Sequence, residues 1–323
     1  MVLAAYATEP NPDDPLAALA VGDRPEPTPA DGWTTVTVTA AALNHHDLWT
    51  LRGVGISADR FPMILGCDAA GVDDEGNEVV VHGVIPGPGW TGDESLDPGR
   101  SLLSERHPGT FAERVAVPRH NLLPKPAELS AAEAACLPTA WLSAYRMLFV
   151  KSGLRPGQTV LVQGSTGGVA SALIALGRAG GYRVWATGRT EAKRQAALDL
   201  GAHAAFEPGA RLPERVDAVM ETVGAATWAH SLKSLRPGGT VVVSGATSGA
   251  EPSADLRRVF FLQLSVVGST MGTRGDLAGL MSFLATTGIR PVIDTVLPLE
   301  RAAEGFAKMA AGDMTGKIVF MLP

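Results

Sequence analysis

The sequence predicts an α/β protein of two domains, in which a β-rich domain accompanies a doubly wound parallel sheet. Three observations support this prediction. Apolar strands alternate with helices between residues 159 and 268, a glycine-rich turn follows the first of those strands, and the first 125 residues hold short strands separated by proline and glycine. Alternation of apolar strands with helices is typical of a parallel sheet covered on both faces.

The composition is that of a globular chain with room for two hydrophobic cores. The chain has 323 residues, 46% of them hydrophobic, and its 27 Lys and Arg face 33 Asp and Glu, a formal charge of −6. This excludes a disordered chain or a small disulfide scaffold and argues against nucleic acid as a partner. No leader and no apolar run of about 18 residues is found. We therefore expect a cytoplasmic protein without a membrane partner, with Cys67 and Cys136 reduced.

The β-rich domain is predicted over residues 1–127 and is completed by residues 273–323. Residues 86–109 have neither a helical nor a strand period and are rich in Gly, Pro, Asp and Ser, which predicts a long surface lobe. The predicted elements of this domain are the strands Thr34–Thr39, Glu78–His82, Ala112–Val117 and Lys317–Leu322, and the helix Leu299–Ala311.

The second domain is predicted over residues 128–272. It begins with a helical stretch over Leu129–Leu148, where Ser130 and Glu133 have the spacing of a capping box. The further elements are the strands Thr159–Gln163, Arg183–Thr187, Val216–Glu221, Thr240–Ser244 and Leu264–Gly268, and the helices Val169–Ala179, Glu191–Leu200 and Ala226–Leu235. A ligand is expected at the carboxyl ends of these parallel strands.

The turn after the first strand of this domain reads Gly164-Ser165-Thr166-Gly167-Gly168-Val169-Ala170. Gly167 allows the backbone to approach a pyrophosphate, Gly168 allows close packing of the helix start, and the helix dipole attracts the anion. Ser165 and Ala170 stand where the strict dinucleotide pattern has glycines. The turn predicts a dinucleotide-binding Rossmann domain; the alternative is a tight turn without a ligand.

The end of the second strand indicates which nicotinamide cofactor binds. The run is Thr187-Gly188-Arg189-Thr190-Glu191-Ala192-Lys193, so no carboxylate ends the strand to hold a ribose 2′-hydroxyl. Arg189 can bind a 2′-phosphate through its guanidinium fork, and Lys193 adds a second positive charge. NADP(H) is therefore predicted. The alternatives are solvated surface charges, or mixed cofactor use through Glu191.

With these motifs in view, the chain resembles the zinc-independent, quinone-oxidoreductase-like branch of the medium-chain dehydrogenase/reductase superfamily over nearly its whole length. The resemblance implies a GroES-like fold for the β-rich domain, which would be the catalytic domain. It also implies a homodimer formed by pairing of the last strand of the Rossmann sheet. The segments that carry the resemblance are Ala42–Trp49, Ile64–Gly71, Leu137–Tyr145, Gly164–Ala170 and Gly316–Val319.

In zinc-dependent relatives the catalytic metal is held by a Cys, a His and a second Cys, with a Glu behind them. The matching positions here are Asn44, Cys67, Thr139 and Asp68. Because amide and hydroxyl groups are not usual zinc ligands, no catalytic zinc is expected. The lobe 86–109 matches a loop that carries four cysteines in zinc-bearing members but contains none, so proline and glycine are expected to give it rigidity.

A substitute metal site from His45, His46, Cys67 and Asp68 is an alternative with suitable donor types. It is disfavoured because two adjacent histidines of an extended segment point to opposite faces and do not converge on one ion. A zinc alcohol dehydrogenase with atypical ligands therefore stays open as a less favoured possibility.

Without a metal, the acceptor must be polarised by hydrogen bonds, which favours quinones and conjugated carbonyls over alcohols. The resemblance likewise implies NADPH-dependent reduction of a quinone or an α,β-unsaturated carbonyl compound. Nicotinamide C4 is expected to face Asn44, His45, Cys67 and Thr139. Asn44 is a candidate hydrogen-bond donor, Thr139 a cofactor or substrate contact, and His45 or His46 the candidate proton donor, because imidazole titrates near neutral pH.

The other candidate residues are expected to bind the cofactor, at the strand ends or, for Lys317, through the Gly-Lys motif near the end of the chain. They are Gly164, Ser165, Thr166, Gly167, Gly168, Val169, Gly188, Arg189, Lys193, Thr222, Val223, Ser244, Gly245, Ala246, Ser269, Thr270 and Lys317. An alternative function is that of an NADPH-binding sensor or structural protein with little turnover.

Overall fold

A computed structural model describes residues 1–323 and divides them into two compact units. The first unit comprises Met1–Ala140, Thr273–Thr286 and Arg290–Pro323, and the second comprises Trp141–Gly272 and Thr287–Ile289. The α/β fold class is confirmed, with a β-rich first unit and a parallel sheet in the second unit. None of the helices combines the length and the apolar character that crossing a membrane requires.

The strands are numbered in chain order. Those before residue 125 are β1 (Val2–Ala7), β2 (Leu19–Arg24), β3 (Trp33–Ala42), β4 (Met63–Ile64), β5 (Ala69–Val72), β6 (Glu78–Val81), β7 (Val84–Ile85), β8 (Ser101–Leu102), β9 (Arg114–Pro118) and β10 (Leu122–Pro124). Those that follow are β11 (Thr159–Val162), β12 (Arg183–Thr187), β13 (Ala204–Phe206), β14 (Val216–Glu221), β15 (Leu235–Val243), β16 (Ser265–Gly268), β17 (Ile293–Pro298) and β18 (Lys317–Met321).

The α-helices are α1 (His45–Leu51), α2 (Ala131–Ala135), α3 (Leu142–Tyr145), α4 (Gly168–Ala179), α5 (Glu191–Asp199), α6 (Ala225–Ser234), α7 (Leu256–Phe261), α8 (Arg274–Thr287) and α9 (Ala302–Ala311). Short 3₁₀ turns lie at Pro15–Ala18, Ala58–Arg60, Glu94–Leu96, Arg119–Asn121 and Leu299–Arg301.

The first unit is built around a seven-stranded sheet in the order β10-β6-β5-β3-β18-β17, with β9 also paired to β3. The strands after residue 290 join this sheet because β18 pairs antiparallel with β3, Val319 opposite Ala42. Aromatic side chains fill the core beneath it: Phe111 and Phe320 meet edge to face with ring centroids 5.1 Å apart. Such edge-to-face pairs add to the stabilisation that apolar burial provides.

The second unit contains a six-stranded parallel sheet in the order β13-β12-β11-β14-β15-β16. This is the strand order of dinucleotide-binding sheets. Successive strands are added on one side of β11 up to β13 and then, from β14 on, on its other side. Such sheets bind ligands at this switch point, at the carboxyl ends of the strands. All four residues of β11 are buried, as expected for a strand with helices on both faces. The loops that follow β11 and β14 are therefore the candidate ligand-binding loops of this sheet.

The helical stretch predicted over Leu129–Leu148 is not one α-helix. The predicted capping box is present, since the Ser130 hydroxyl accepts from Glu133 N–H at 3.2 Å. After α2, however, Leu137–Trp141 forms a π-helical segment, and a second one, Arg146–Lys151, follows α3. Pro138 explains the first interruption because it has no N–H to donate to the preceding turn.

The lobe 86–109 is held together by a carboxylate rather than by proline and glycine alone. Asp97 is 4% exposed, and its two carboxylate oxygens accept from Gly87 N–H and Gly99 N–H, each at 2.6 Å. A side chain at either glycine would crowd this carboxylate, because a Cβ there would lie 3.2 Å from an Asp97 oxygen. An internal carboxylate thus ties the start of the lobe, which carries no cysteine, to the segment around Gly99.

A second carboxylate of the lobe ties it to the rest of the first unit. Glu94 accepts from Arg274 N–H at 2.5 Å and lies 3.5 Å from Nε2 of the buried His82. Burial opposes ionisation of Glu94, but the contacts with His82 and with the Arg274 N–H outweigh it and lower the pKa of Glu94 from 4.5 to about 2. Lobe docking is therefore coupled to the ionised form of Glu94.

We predict that Glu94→Gln makes the free energy of unfolding depend less strongly on pH in the acid range. The pKa of Glu94 is depressed in the folded state, so its stabilisation is fully present above pH 4.5 and is lost as the pH falls toward 2. The slope of unfolding free energy against pH in this window, measured by urea denaturation, is expected to be smaller in the variant. An unchanged slope would contradict the coupling.

Candidate functional site

The glycine-rich turn lies at the carboxyl end of β11 and leads into α4. Gly164 has φ +96°, a conformation that side chains disfavour, and its N–H donates to Thr187 Oγ1 at 2.9 Å. Gly167 is the N-cap residue of α4, and a Cβ built on it would meet no atom within 4 Å. The helix start is therefore open to a ligand, and the residues present fit the pyrophosphate of a dinucleotide.

A buried polar network supports the strand ends around this turn. Thr187 Oγ1 donates to Gln163 Oε1 at 3.0 Å, and Gln163 Nε2 donates to Ser231 Oγ at 3.0 Å. Ser231 in turn donates to the carboxylate of Glu221 at 2.6 Å. Glu221 is fully buried and also accepts from Val223 N–H at 2.8 Å, which shapes the loop after β14. Sequence reasoning did not identify Gln163 or Glu221 in this role.

The remaining predicted cofactor residues lie at the carboxyl ends of the parallel strands. Gly188, Arg189 and Lys193 follow β12, Thr222 and Val223 follow β14, Ser244, Gly245 and Ala246 follow β15, and Ser269 and Thr270 follow β16. One edge of one sheet therefore brings them together, as the topology requires.

The end of β12 presents a cationic surface. Arg189 is exposed and forms no ion pair, whereas Glu191 is bound by Arg194 at 2.5 Å. Arg194 also donates to Gly188 O at 3.1 Å, and a Cβ at Gly188 would lie 3.0 Å from Arg194 N. This i,i+3 contact engages one oxygen of Glu191, whose side chain is 82% exposed. Arg194 was not identified from the sequence.

In the first unit, the positions that match the zinc site form a hydrogen-bonded cluster. Asn44 Nδ2 donates to Asp68 Oδ2 at 2.8 Å, and the Thr139 hydroxyl donates to Asp68 Oδ1. Cys67 Sγ lies 3.3 Å from Thr139 Oγ1 and 3.9 Å from Asn44 Nδ2. Asn44 follows β3, Cys67 and Asp68 precede β5, and Thr139 lies in the π-helical segment Leu137–Trp141, so widely separated segments converge on Asp68.

Lys317 belongs to this cluster. It is 1% exposed, and its ammonium donates to Leu43 O at 2.7 Å, to Asn44 Oδ1 at 2.5 Å and to Asp68 Oδ2 at 3.3 Å. The ammonium group of Lys317 thus donates its three protons to these three acceptors, and none is left to donate to a cofactor. The structure therefore gives Lys317 a role different from the predicted one: it neutralises the buried Asp68.

The cluster does not fit a zinc ion. Asn44 and Thr139 supply an amide and a hydroxyl, which zinc rarely takes, and both are engaged with Asp68. Burial raises the pKa of Cys67, which disfavours the thiolate that a metal requires. No group of three or more His, Cys, Asp or Glu side chains is arranged to hold a metal ion.

The two adjacent histidines lie in the first turn of α1, not in the extended segment that the sequence predicts. The angle between the side chains of adjacent residues is smaller on a helix than on a strand, where adjacent side chains point to opposite faces. His46 Nε2 lies 3.0 Å from Glu105 Oε1, whereas His45 has the cations Lys317 and Arg52 as neighbours. Asn44, immediately before α1, caps it through its N–H, which donates to Asp47 at 2.8 Å.

The two histidines differ in how easily they hold a proton. Desolvation, together with the charges of Lys317 and Arg52, lowers the pKa of His45. Burial also opposes the charged form of His46, but contacts with Cys67 and Glu105 and the charge of Asp47 outweigh it, so the pKa of His46 lies well above its usual value. Of the two, His46 is the one suited to donate a proton near neutral pH.

The chain is similar to known proteins over nearly its whole length. An alcohol dehydrogenase GroES-like domain model matches residues 30–127, and a zinc-binding dehydrogenase model matches residues 168–286. The chain is 30% identical to an acryloyl-coenzyme A reductase of Metallosphaera sedula, over 91% of this chain and 93% of that protein. It is 25% identical to a quinone oxidoreductase of Lama guanicoe, over 92% and 91%. The solved structure of an NAD-dependent alcohol dehydrogenase superposes with a TM-score of 0.91 at 33% identity, covering 99% of this chain and 100% of that one.

Proposed function

Since this chain belongs to the medium-chain dehydrogenase/reductase superfamily and is an oxidoreductase, we propose that it reduces a quinone or an α,β-unsaturated carbonyl compound with NADPH and without a catalytic metal. One observation carries the proposal. The three positions that would supply zinc ligands hold Asn44, Cys67 and Thr139, and Asp68 and Lys317 close the amide and the hydroxyl into hydrogen bonds. Acceptors that need no Lewis acid are therefore favoured.

The names of two relatives support the acceptor class. An acryloyl thioester and a quinone are both conjugated carbonyl compounds, in which the carbonyl draws electron density from the carbon that accepts hydride. Neither needs an alkoxide, which metal-dependent alcohol oxidation must generate. The solved relative is named for NAD, but β12 of this chain ends without a carboxylate, and this favours NADPH.

Each proposed role follows from position. When bound, NADPH supplies the hydride. The N–H groups at the start of α4 bind its pyrophosphate, and Arg189, with Lys193 beside it, binds the 2′-phosphate. Asp68 holds the side chains of Asn44 and Thr139 in fixed orientations, and His46 delivers the proton that completes the reduction.

The experiment is an initial-rate assay of NADPH oxidation with a panel of quinones, enones, enoyl thioesters and simple alcohols or aldehydes, run beside calorimetric NADPH binding. We expect turnover with conjugated acceptors, kcat/KM at least about tenfold lower with saturated aldehydes, and a preference for NADPH over NADH. Tight NADPH binding without turnover of any acceptor would contradict the proposal and favour a sensor or structural role.

We infer that the protein is a homodimer that pairs through β16. This strand is an edge of the parallel sheet, and Val266 on it is 50% exposed. The helix before it, α7, exposes Phe260 at 69% and Phe261 at 78%. Large exposed apolar side chains next to an open strand edge favour pairing with a second copy.

Val266→Lys is expected to convert the dimer to a monomer, because a charge would then lie on the apolar edge. Sedimentation velocity at several concentrations measures this. Val296→Lys is a matched control, since Val296 is 51% exposed but belongs to β17 in the other unit. A wild-type protein that sediments as a monomer at every concentration would contradict the inference.

A further inference from the structure

The imidazole of His46 is contacted by two consecutive residues of the lobe 86–109. His46 Nε2 lies 3.0 Å from Glu105 Oε1, and His46 Nδ1 lies 3.4 Å from Ser104 Oγ. Glu105 Oε2 also accepts from Leu102 N–H at 3.4 Å, so the carboxylate is oriented from its own side. Each ring nitrogen therefore has its own partner, and both partners come from one short turn.

The backbone of this turn is unusual. Ser104 is fully buried and has φ +66°, in the left-handed region that residues with a side chain rarely adopt. Two hydrogen bonds close the turn, from Ser104 N–H to His107 O at 2.9 Å and from Glu105 N–H to Leu102 O at 3.3 Å. Costly backbone conformations of this kind persist where the surroundings impose them, and they cluster at functional sites.

The other groups around His46 are consistent with a held, protonated ring. Apart from Ser104 and Glu105, the charged and titratable groups that face it are Cys67 and Asp47. The carboxylate of Asp47 favours the charged imidazole, whereas His45 has cations as neighbours. Glu105 is partly open to solvent, with 26% of its side chain exposed, so a proton can return to His46 from water along this side.

We propose that Ser104 and Glu105 are positioning residues that hold the His46 imidazole for proton delivery, so that the lobe takes part in the reaction. This rests on the proposed function. Hydride adds to the β-carbon of an enone or to the quinone ring system. The proton leaves His46 from Nδ1, whose contact with Ser104 is the longer of the two, and moves to the α-carbon or to the quinone oxygen, while Nε2 stays bound to Glu105. One hydride and one proton complete the two-electron reduction, and neutral His46 is reprotonated by water beside Glu105.

The test compares Glu105→Ala with Glu105→Gln. Loss of the contact in Glu105→Ala is expected to lower kcat about 10- to 100-fold with the KM for NADPH unchanged. In Glu105→Gln the side-chain amide oxygen still accepts a hydrogen bond from the N–H at Nε2, so kcat is expected to recover to within about threefold of wild type. The alkaline limb of the kcat profile should move to lower pH, because a neutral amide stabilises the charged imidazole less than a carboxylate does.

Ser104→Gly separates positioning from folding. It removes the hydroxyl next to Nδ1 and also relieves the left-handed backbone, so Tm is expected not to fall while kcat drops about fivefold. Glu94→Gln is the matched lobe variant: it weakens docking of the lobe without removing a contact to His46, so Tm is expected to fall while kcat falls less than in Glu105→Ala. Wild-type kcat and pH profile in both Glu105→Ala and Ser104→Gly would overturn the proposal.

A readout without turnover keeps this proposal distinct from the proposed function. Long-range proton–nitrogen NMR spectra report the protonation of both imidazole nitrogens, with His46 assigned through His46→Gln. We expect the ¹⁵N signals of His46 to shift in Glu105→Ala and to titrate at lower pH. Unchanged signals would overturn the positioning role even in an active enzyme, whereas a shifted signal in a protein that reduces no acceptor would overturn only the proposed function.

Discussion

Replacing Lys317 by methionine is expected to lower the free energy of unfolding by about 3–5 kcal/mol, as measured by urea denaturation, because it leaves Asp68 as a buried charge without its partner. The Asp68 side chain is 0% exposed, so water cannot compensate for its charge in the variant. The Asn44 side-chain oxygen and the Leu43 carbonyl would lose their donor as well. Few single substitutions in this chain remove so many buried contacts at once.

Two further variants define the origin of this loss. Lys308→Met is the matched surface control, because the Lys308 side chain is 35% exposed and its ion pair with Asp294 is screened by water; a loss below about 1 kcal/mol is expected. In the double variant Lys317→Met/Asp68→Asn, removal of the second charge is expected to restore part of the stability. A loss below about 1 kcal/mol for Lys317→Met would show that Asp68 does not depend on Lys317.

Replacing Arg189 by glutamate is expected to reverse the cofactor preference. A guanidinium–phosphate contact contributes about 1.5–3 kcal/mol, which corresponds to roughly 10- to 100-fold in affinity, and repulsion between the new carboxylate and the phosphate adds to the loss. We expect kcat/KM for NADPH to fall about 100-fold or more, while the value for NADH stays constant or rises, because a carboxylate at this position can hold a ribose 2′-hydroxyl.

Arg155→Glu makes the same change in charge at an exposed arginine just before β11, at the opposite end of the sheet. It is expected to leave the ratio of the two kcat/KM values unchanged, which controls for the general effect of charge on binding. Equal losses for NADPH and NADH in Arg189→Glu would indicate that Arg189 does not contact the 2′-phosphate.

Local pattern predicted the Rossmann sheet closely. The strands Arg183–Thr187 and Val216–Glu221 have the predicted bounds, and the helix predicted over Glu191–Leu200 differs from α5 by one residue. In these segments apolar periodicity and turn residues indicate the same boundaries, so propensity and tertiary structure agree. The strand predicted over Ala112–Val117 begins two residues later, because Ala112 forms only an isolated bridge with Ala4.

Contacts between distant segments could not be predicted in the same way. Positions 46 and 105 lie 59 residues apart, and Lys317 lies 249 residues from Asp68. No local period reports such pairs, since they depend on the path of the lobe and on the return of β18 to β3. A buried lysine near the end of the chain and a left-handed Ser104 are therefore visible only once the fold is known.

Metal content measured together with turnover tests the proposed chemistry most directly. The purified protein is dialysed against a strong chelator, its zinc, iron and other transition metals are quantified by elemental analysis, and NADPH oxidation with a conjugated acceptor is followed before and after. We expect far less than one metal ion per chain and the same kcat before and after dialysis. One firmly bound ion per chain, with activity lost on its removal and restored on its return, would contradict metal-free reduction by this enzyme.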